Sequence, residues 1–155
     1  MEVVEVIKLT LAPAVMVNCC GLFLLGMNNK YSVVVGRIRT LNEEKRKLSI
    51  KKKEHIQDEF DEKRFHSIQM QTGKLLYRLQ LVRNAVISYS VAVAFFVLTC
   101  ILIGLDFTVS QMHISNRIFN ILFFSGLVCV FFGIFFATRE VIKGYQIVKI
   151  EVEDF

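Results

Sequence analysis

The sequence has little that breaks a helix, and in three long places it has no charge at all. It contains one proline and no tryptophan. The runs Leu9–Met27, Ala85–Leu105 and Ile118–Ala137 hold no Asp, Glu, Lys, Arg or His. A helix rising 1.5 Å per residue needs roughly 20 apolar residues to cross a bilayer. Backbone placed in lipid must satisfy its own hydrogen bonds, so each run is read as a spanning helix. A soluble domain of 155 residues would rarely contain three such runs. The lack of a charged group in mid-span counts against a proton relay or a voltage sensor. It leaves room for a pore gated by an apolar constriction or lined by amides and carbonyls. His55, His66 and His113 share no ligand spacing, and there is no phosphate-binding glycine loop, nucleophile elbow or metalloprotease helix motif. Cys19, Cys20, Cys100 and Cys129 lie inside the runs without zinc-site spacing and read as packing residues. We expect no catalytic, cofactor-binding or metal site, and no enzyme activity.

What is there is charge, and it is packed between the first two runs. Residues 30–83 carry 14 of the 19 Lys and Arg and 7 of the 14 Asp and Glu. The connector at 106–117 is nearly uncharged, and the tail after Ala137 opens with Arg139, Lys143 and Lys149. Basic segments stay in the cytoplasm. This predicts an N-terminus outside, residues 30–84 inside, an external loop at 106–117, and a cytoplasmic tail at 139–155. The leader Met1–Lys8 is more acidic than basic and no small-residue cleavage site follows, so the first run is a retained span.

Residues 30–83 are proline-free and rich in helix formers. Apolar residues recur at Ile38, Leu41 and Leu48, then at Phe65, Ile68, Leu75, Leu76, Leu79 and Val82, a stripe on a helix. A segment that leaves and re-enters the membrane from one side is predicted to be an antiparallel helical hairpin. Equal arms place its turn near Ile50–Asp58; Gly73 is the alternative breaker. Pro13 falls near the start of the first span, where a helix tolerates its missing N–H. In the third span Ser125, Cys129, Gly133 and Ala137 recur every four residues and form a face of small side chains suited to close helix packing. Tyr31, Tyr77, Tyr89 and Tyr145 are read as interfacial anchors.

Three groups of polar residues are candidates for function. Asn18 is the one strongly polar side chain deep in the first span and calls for another helix or a water path. With Asn28 and Asn29 it forms the pore-lining candidates; Lys30, beside them, reads as a snorkelling interface residue. Arg37, Arg39, Arg78 and Arg83 lie close to the predicted membrane ends. They are expected to meet anionic lipid headgroups or to line a cytoplasmic mouth. The basic triplets Lys45–Lys47 and Lys51–Lys53 are interleaved with acids, which fits a solvated helix with i,i+4 ion pairs better than a nucleic-acid surface.

The run Leu11-Ala12-Pro13-Ala14, then Asn29 and Tyr31, then Arg37-Ile38-Arg39-Thr40-Leu41, resembles the opening of the bacterial domain-of-unknown-function 2721 family. Leu75-Leu76-Tyr77-Arg78-Leu79-Gln80-Leu81-Val82-Arg83-Asn84-Ala85 resembles that family's entry into its second span. The likeness extends from about residue 10 to 138. It implies a small three-span protein of the bacterial inner membrane and brings no catalytic or binding residue with it.

The expected architecture is an all-α integral membrane protein forming a single membrane domain. Its spans lie at about 9–29, 85–105 and 118–138, with a cytoplasmic antiparallel helical hairpin between the first two. Three helices enclose no water path alone, so a homo-oligomer in the bilayer is expected, acting as an ion channel or transport-related pore. The alternative is a non-conducting scaffold or accessory subunit that docks a cytoplasmic partner through the hairpin. Lipid, a second copy of the chain and anionic headgroups are the expected partners, and nucleic acid is not.

Overall fold

A computed structural model describes residues 3–53, 59–108 and 116–153, all of them helical: α1 (Val3–Lys53), α2 (Glu59–Thr108) and α3 (Asn116–Glu153). Each helix is long and apolar enough to cross a membrane. In the most apolar stretch of each, only 11%, 28% and 17% of residues lie buried inside the protein. The protein is therefore a multi-pass membrane protein whose apolar surface faces mostly outward. Residues 54–58 and 109–115 lie outside the described residues, and with them most of the predicted turn at Ile50–Asp58 and the centre of the 106–117 connector. Ile50–Lys53 are still helix, and Gly73 sits inside α2 without interrupting it.

Pro13 departs from expectation. Nothing between Val3 and Leu9 breaks a helix; Glu5 and Lys8 only remove that stretch from lipid. So α1 begins ten residues before Pro13, and the proline removes an interior bond to the Leu9 carbonyl rather than occupying a first turn.

All three helices contribute to two compact units. The first comprises residues 1–28 and 84–137. Its core draws Cys20 and Met27 from α1, and Ala85, Tyr89, Ala92, Phe96, Thr99 and Ile103 from α2. The α2 positions alternate by three and four, the spacing of helices that pack at a shallow crossing angle. Against them α3 presents glycine. A Cβ on Gly133 would stand 2.7 Å from the Tyr89 ring, and one on Gly126 would stand 2.7 Å from the Phe96 ring. The two rings are seven residues apart and so are the two glycines, in opposite chain directions, so each ring enters a gap left by a missing side chain. Tyr89 is completed by Phe23, stacked at 5.3 Å and 8°. Tyr89 is thus a core residue at 1% exposure, not an interfacial anchor, because Gly133 makes room for its ring. Thr99, also buried, donates to the Phe95 carbonyl at 2.8 Å and so satisfies its hydroxyl on its own helix.

The second unit comprises residues 29–83 and 138–155. Here α1 and α2 run antiparallel. The Arg64 guanidinium bonds both Glu44 oxygens at 2.8 and 3.2 Å, Lys51 reaches Asp61 at 3.7 Å, and the Lys45 ammonium lies 5.3 Å from the centre of the Phe65 ring. Val34, Leu41, Ile68, Leu81 and Val82 form the buried stripe. Leu76, expected on that stripe, is exposed.

Gly126→Ala and Gly133→Ala remove a helix-weakening glycine, which alone would stabilise by up to about 1 kcal/mol. Because each new methyl must displace an enclosed ring, we expect both variants to lose about 1–3 kcal/mol by thermal unfolding in detergent. Gly104→Ala, with nothing within 4 Å, should not. Glycine variants at 126 and 133 as stable as the wild type would refute this packing.

Candidate functional site

The most completely built polar arrangement lies in the second unit. Glu140, on α3, is 2% exposed. Its Oε1 accepts from Arg78 Nη2 at 2.7 Å and from Nε at 3.3 Å, and its Oε2 accepts from Lys30 Nζ at 3.1 Å. One residue from each helix therefore meets at a single carboxylate. A buried carboxylate without such partners would take up a proton rather than stay charged. Burial pushes the Glu140 carboxyl up; the bonds and charges of Arg78 and Lys30 outweigh that and hold it below the ordinary value of 4.5.

The local sequence puts these groups together. Lys30 comes three residues after the first charge-free run, and Glu140 three residues after the third, each within one helical turn. Gly144, one turn beyond Glu140, has no side chain where a Cβ would stand 2.9 Å from Arg78 Nη2. The guanidinium can therefore lie flat against α3 and use Nε and Nη2 together. Lys30 keeps 47% of its side chain exposed and Arg78 22%. Beside them opens a groove of about 480 Å³, walled by Val33, Val34 and Val141 and edged by Asn29 and Tyr145. Two cations face one anion there, leaving one net positive charge.

The other candidates are placed as follows. Asn18 is exposed in the first unit and makes no side-chain hydrogen bond with a described residue. Asn28 is exposed, and Asn29 reaches the groove edge. Arg37, Arg39 and Arg83 are exposed, whereas Arg78 is drawn into the carboxylate cluster. Gly133 meets Tyr89, while Ser125 and Cys129 line a surface recess beside Phe95, and Ala137 is half-buried. A four-residue repeat drifts around a helix by about 40° per step. The buried seam of the first unit instead follows Gly126, Val130 and Gly133, and leaves Ser125, Cys129 and Ala137 half-buried beside it. Among the described residues no cluster of three or more His, Cys, Asp or Glu could hold a metal ion.

Sequence reasoning misses Glu140 altogether and gives Lys30 no partner. A signal exists: Glu140 is the sole acid between Asp106 and Glu151, and it sits at a membrane end beside Arg139.

A family profile described as a protein of unknown function, DUF2721, matches residues 10–150. The chain belongs to the DUF2721 family. The match takes in Lys30, Arg78 and Glu140. No curated protein matches the chain, and no solved structure does.

Glu140→Gln leaves two partly solvated cations facing a neutral amide and should cost this DUF2721 protein about 1–3 kcal/mol. The pH dependence has a definite sign. With its folded pKa lowered, Glu140 contributes stability fully above the ordinary carboxylate value, and the contribution disappears as pH falls through the folded pKa. Thermal midpoints followed by circular dichroism from pH 7 downward should fall more steeply for the wild type than for Glu140→Gln. Parallel curves would show that the carboxylate is not the titrating group.

Proposed function

We propose that this protein is a homo-oligomeric channel or transport-related pore of an inner membrane, with its N-terminus outside and its C-terminus in the cytoplasm. Asn18 carries the reading. It is an amide inside an apolar span, exposed, with no partner among the described residues. Lipid offers an amide no hydrogen bond, and leaving one unmet costs about 1–3 kcal/mol. A neighbouring copy or a file of water supplies the missing partner, and an oligomeric pore supplies both.

The shape of α1 supports the same conclusion. Its apolar stretch is the least buried of the three. Leu11, Ala14, Asn18, Gly21, Leu22 and Leu25 fall within about 120° of one another on the helix and are all exposed. Ala14 and Gly21 allow a neighbouring backbone to come close, and Asn18 hydrogen-bonds across. Copies of α1 arranged around an axis would bring their Asn18 amides to it, with Asn28 following toward the cytoplasm. Arg37 and Arg39 come next along the helix and bias that mouth toward anions.

Mass measurement in mild detergent should give more than one chain per particle. Asn18→Leu should weaken association by about 0.6–2 kcal/mol per interhelical bond lost. In planar bilayers the wild type should carry an anion-selective current that Asn18→Leu alters. A monomer would overturn the pore. An oligomer silent to every ion, whose residues 37–80 capture a cytoplasmic protein, would replace it with the scaffold reading.

A further inference from the structure

The groove beside Glu140 has the charge, chemistry and position of a lipid site. Lys30 Nζ spends one of its three hydrogens on Glu140 and keeps the remainder on the exposed side. Glu140 occupies both cations without cancelling them, and its burial fixes where they stand. The groove therefore offers one net positive charge with donors already positioned. Asn29 and Tyr145 add an amide and a phenol at the edge, while Val33, Val34 and Val141 give an apolar wall suited to methylene groups. Lys30 and Glu140 each lie within a turn of the end of a charge-free run. That is the depth at which headgroup phosphates lie beside a spanning helix.

We infer that this groove binds the phosphodiester of one anionic phospholipid, with Lys30 as the direct contact and the glycerol and first methylenes against the valine wall. A lipid with a single net negative charge complements the site. A zwitterionic lipid brings its own cation and does not. Glu140 acts as a positioning residue: it touches no lipid but holds Lys30 and Arg78 where the phosphate arrives. This binding stands whether or not the protein conducts, because it uses a different set of residues from Asn18.

Native mass spectrometry of the full-length protein, with equimolar phosphatidylglycerol and phosphatidylcholine added in detergent, tests it. The wild type should keep one phosphatidylglycerol per chain in clear preference. Lys30→Gln should reduce that preference about fivefold, the effect of one cation at a membrane surface. Val33→Trp fills the groove from a wall position that is 69% exposed and leaves the ion cluster intact. It should bring phosphatidylglycerol retention down to that of phosphatidylcholine, and it decides the question should Lys30→Gln fail to fold. Arg46→Gln, exposed and outside the groove, should retain the preference. Equal retention of the two lipids by the wild type would overturn the inference. So would a preference that survives both groove variants, or one that millimolar inorganic phosphate abolishes by taking the lipid's place.

Discussion

Three helices have far more apolar surface than they can hide from one another, and the solvent that accepts the surplus is itself apolar. This has a consequence for what holds the helices together. In water, burying leucine against leucine would drive association; in hydrocarbon the exchange is nearly neutral, and shape and polar atoms decide instead. The first unit answers with shape. Tyr89 and Phe96 each enter a gap at Gly133 and Gly126, where close backbone approach maximises dispersion contacts. The second unit answers with charge, gathering one residue from each helix at Glu140. Two unlike devices thus fix how the helices meet: glycine gaps in the core of the first unit and, beside the buried apolar stripe, a carboxylate cluster in the second.

Polar groups then become the informative ones, because each must find a hydrogen bond that neither lipid nor an apolar neighbour offers. Thr99 is neutralised on its own backbone. Glu140 is neutralised within the chain, by bonds to both its oxygens. Asn18 is neutralised by neither route among the described residues. The contrast separates the two proposals. Glu140 finds its partners within one chain, whereas Asn18 finds none among the described residues.

The spans were legible in the sequence because absence of charge is a local property. It can be counted over roughly 20 residues without knowing what packs where. The helical character of residues 30–53 and 59–83 was equally legible, since no proline interrupts them. Pairings were not. Lys30 and Glu140 are separated by 110 positions, and no local pattern says that one answers the other. The small-residue face was half legible. A four-residue repeat picks out Gly133 but misses Gly126, because the seam advances by alternating threes and fours and a straight repeat drifts off it. Tyr89 misleads for a related reason: a tyrosine near a span end has an amphipathic home at the interface, and only the bare backbone of Gly133 reveals that the ring has a better one.

The same asymmetry explains why the carboxylate cluster sits where it does. A buried triad in mid-span would bear the full cost of desolvating three charges. Moved well out into water, the same triad would be screened and worth little. At the end of the charge-free runs, Lys30 keeps half its side chain exposed while Glu140 is enclosed. The carboxylate then feels both cations strongly, and the lysine still meets solvent or headgroups. That position reconciles a buried anion with an accessible cation, and it is the reason one cluster can both pin the three helices of the second unit and present a positive charge outward.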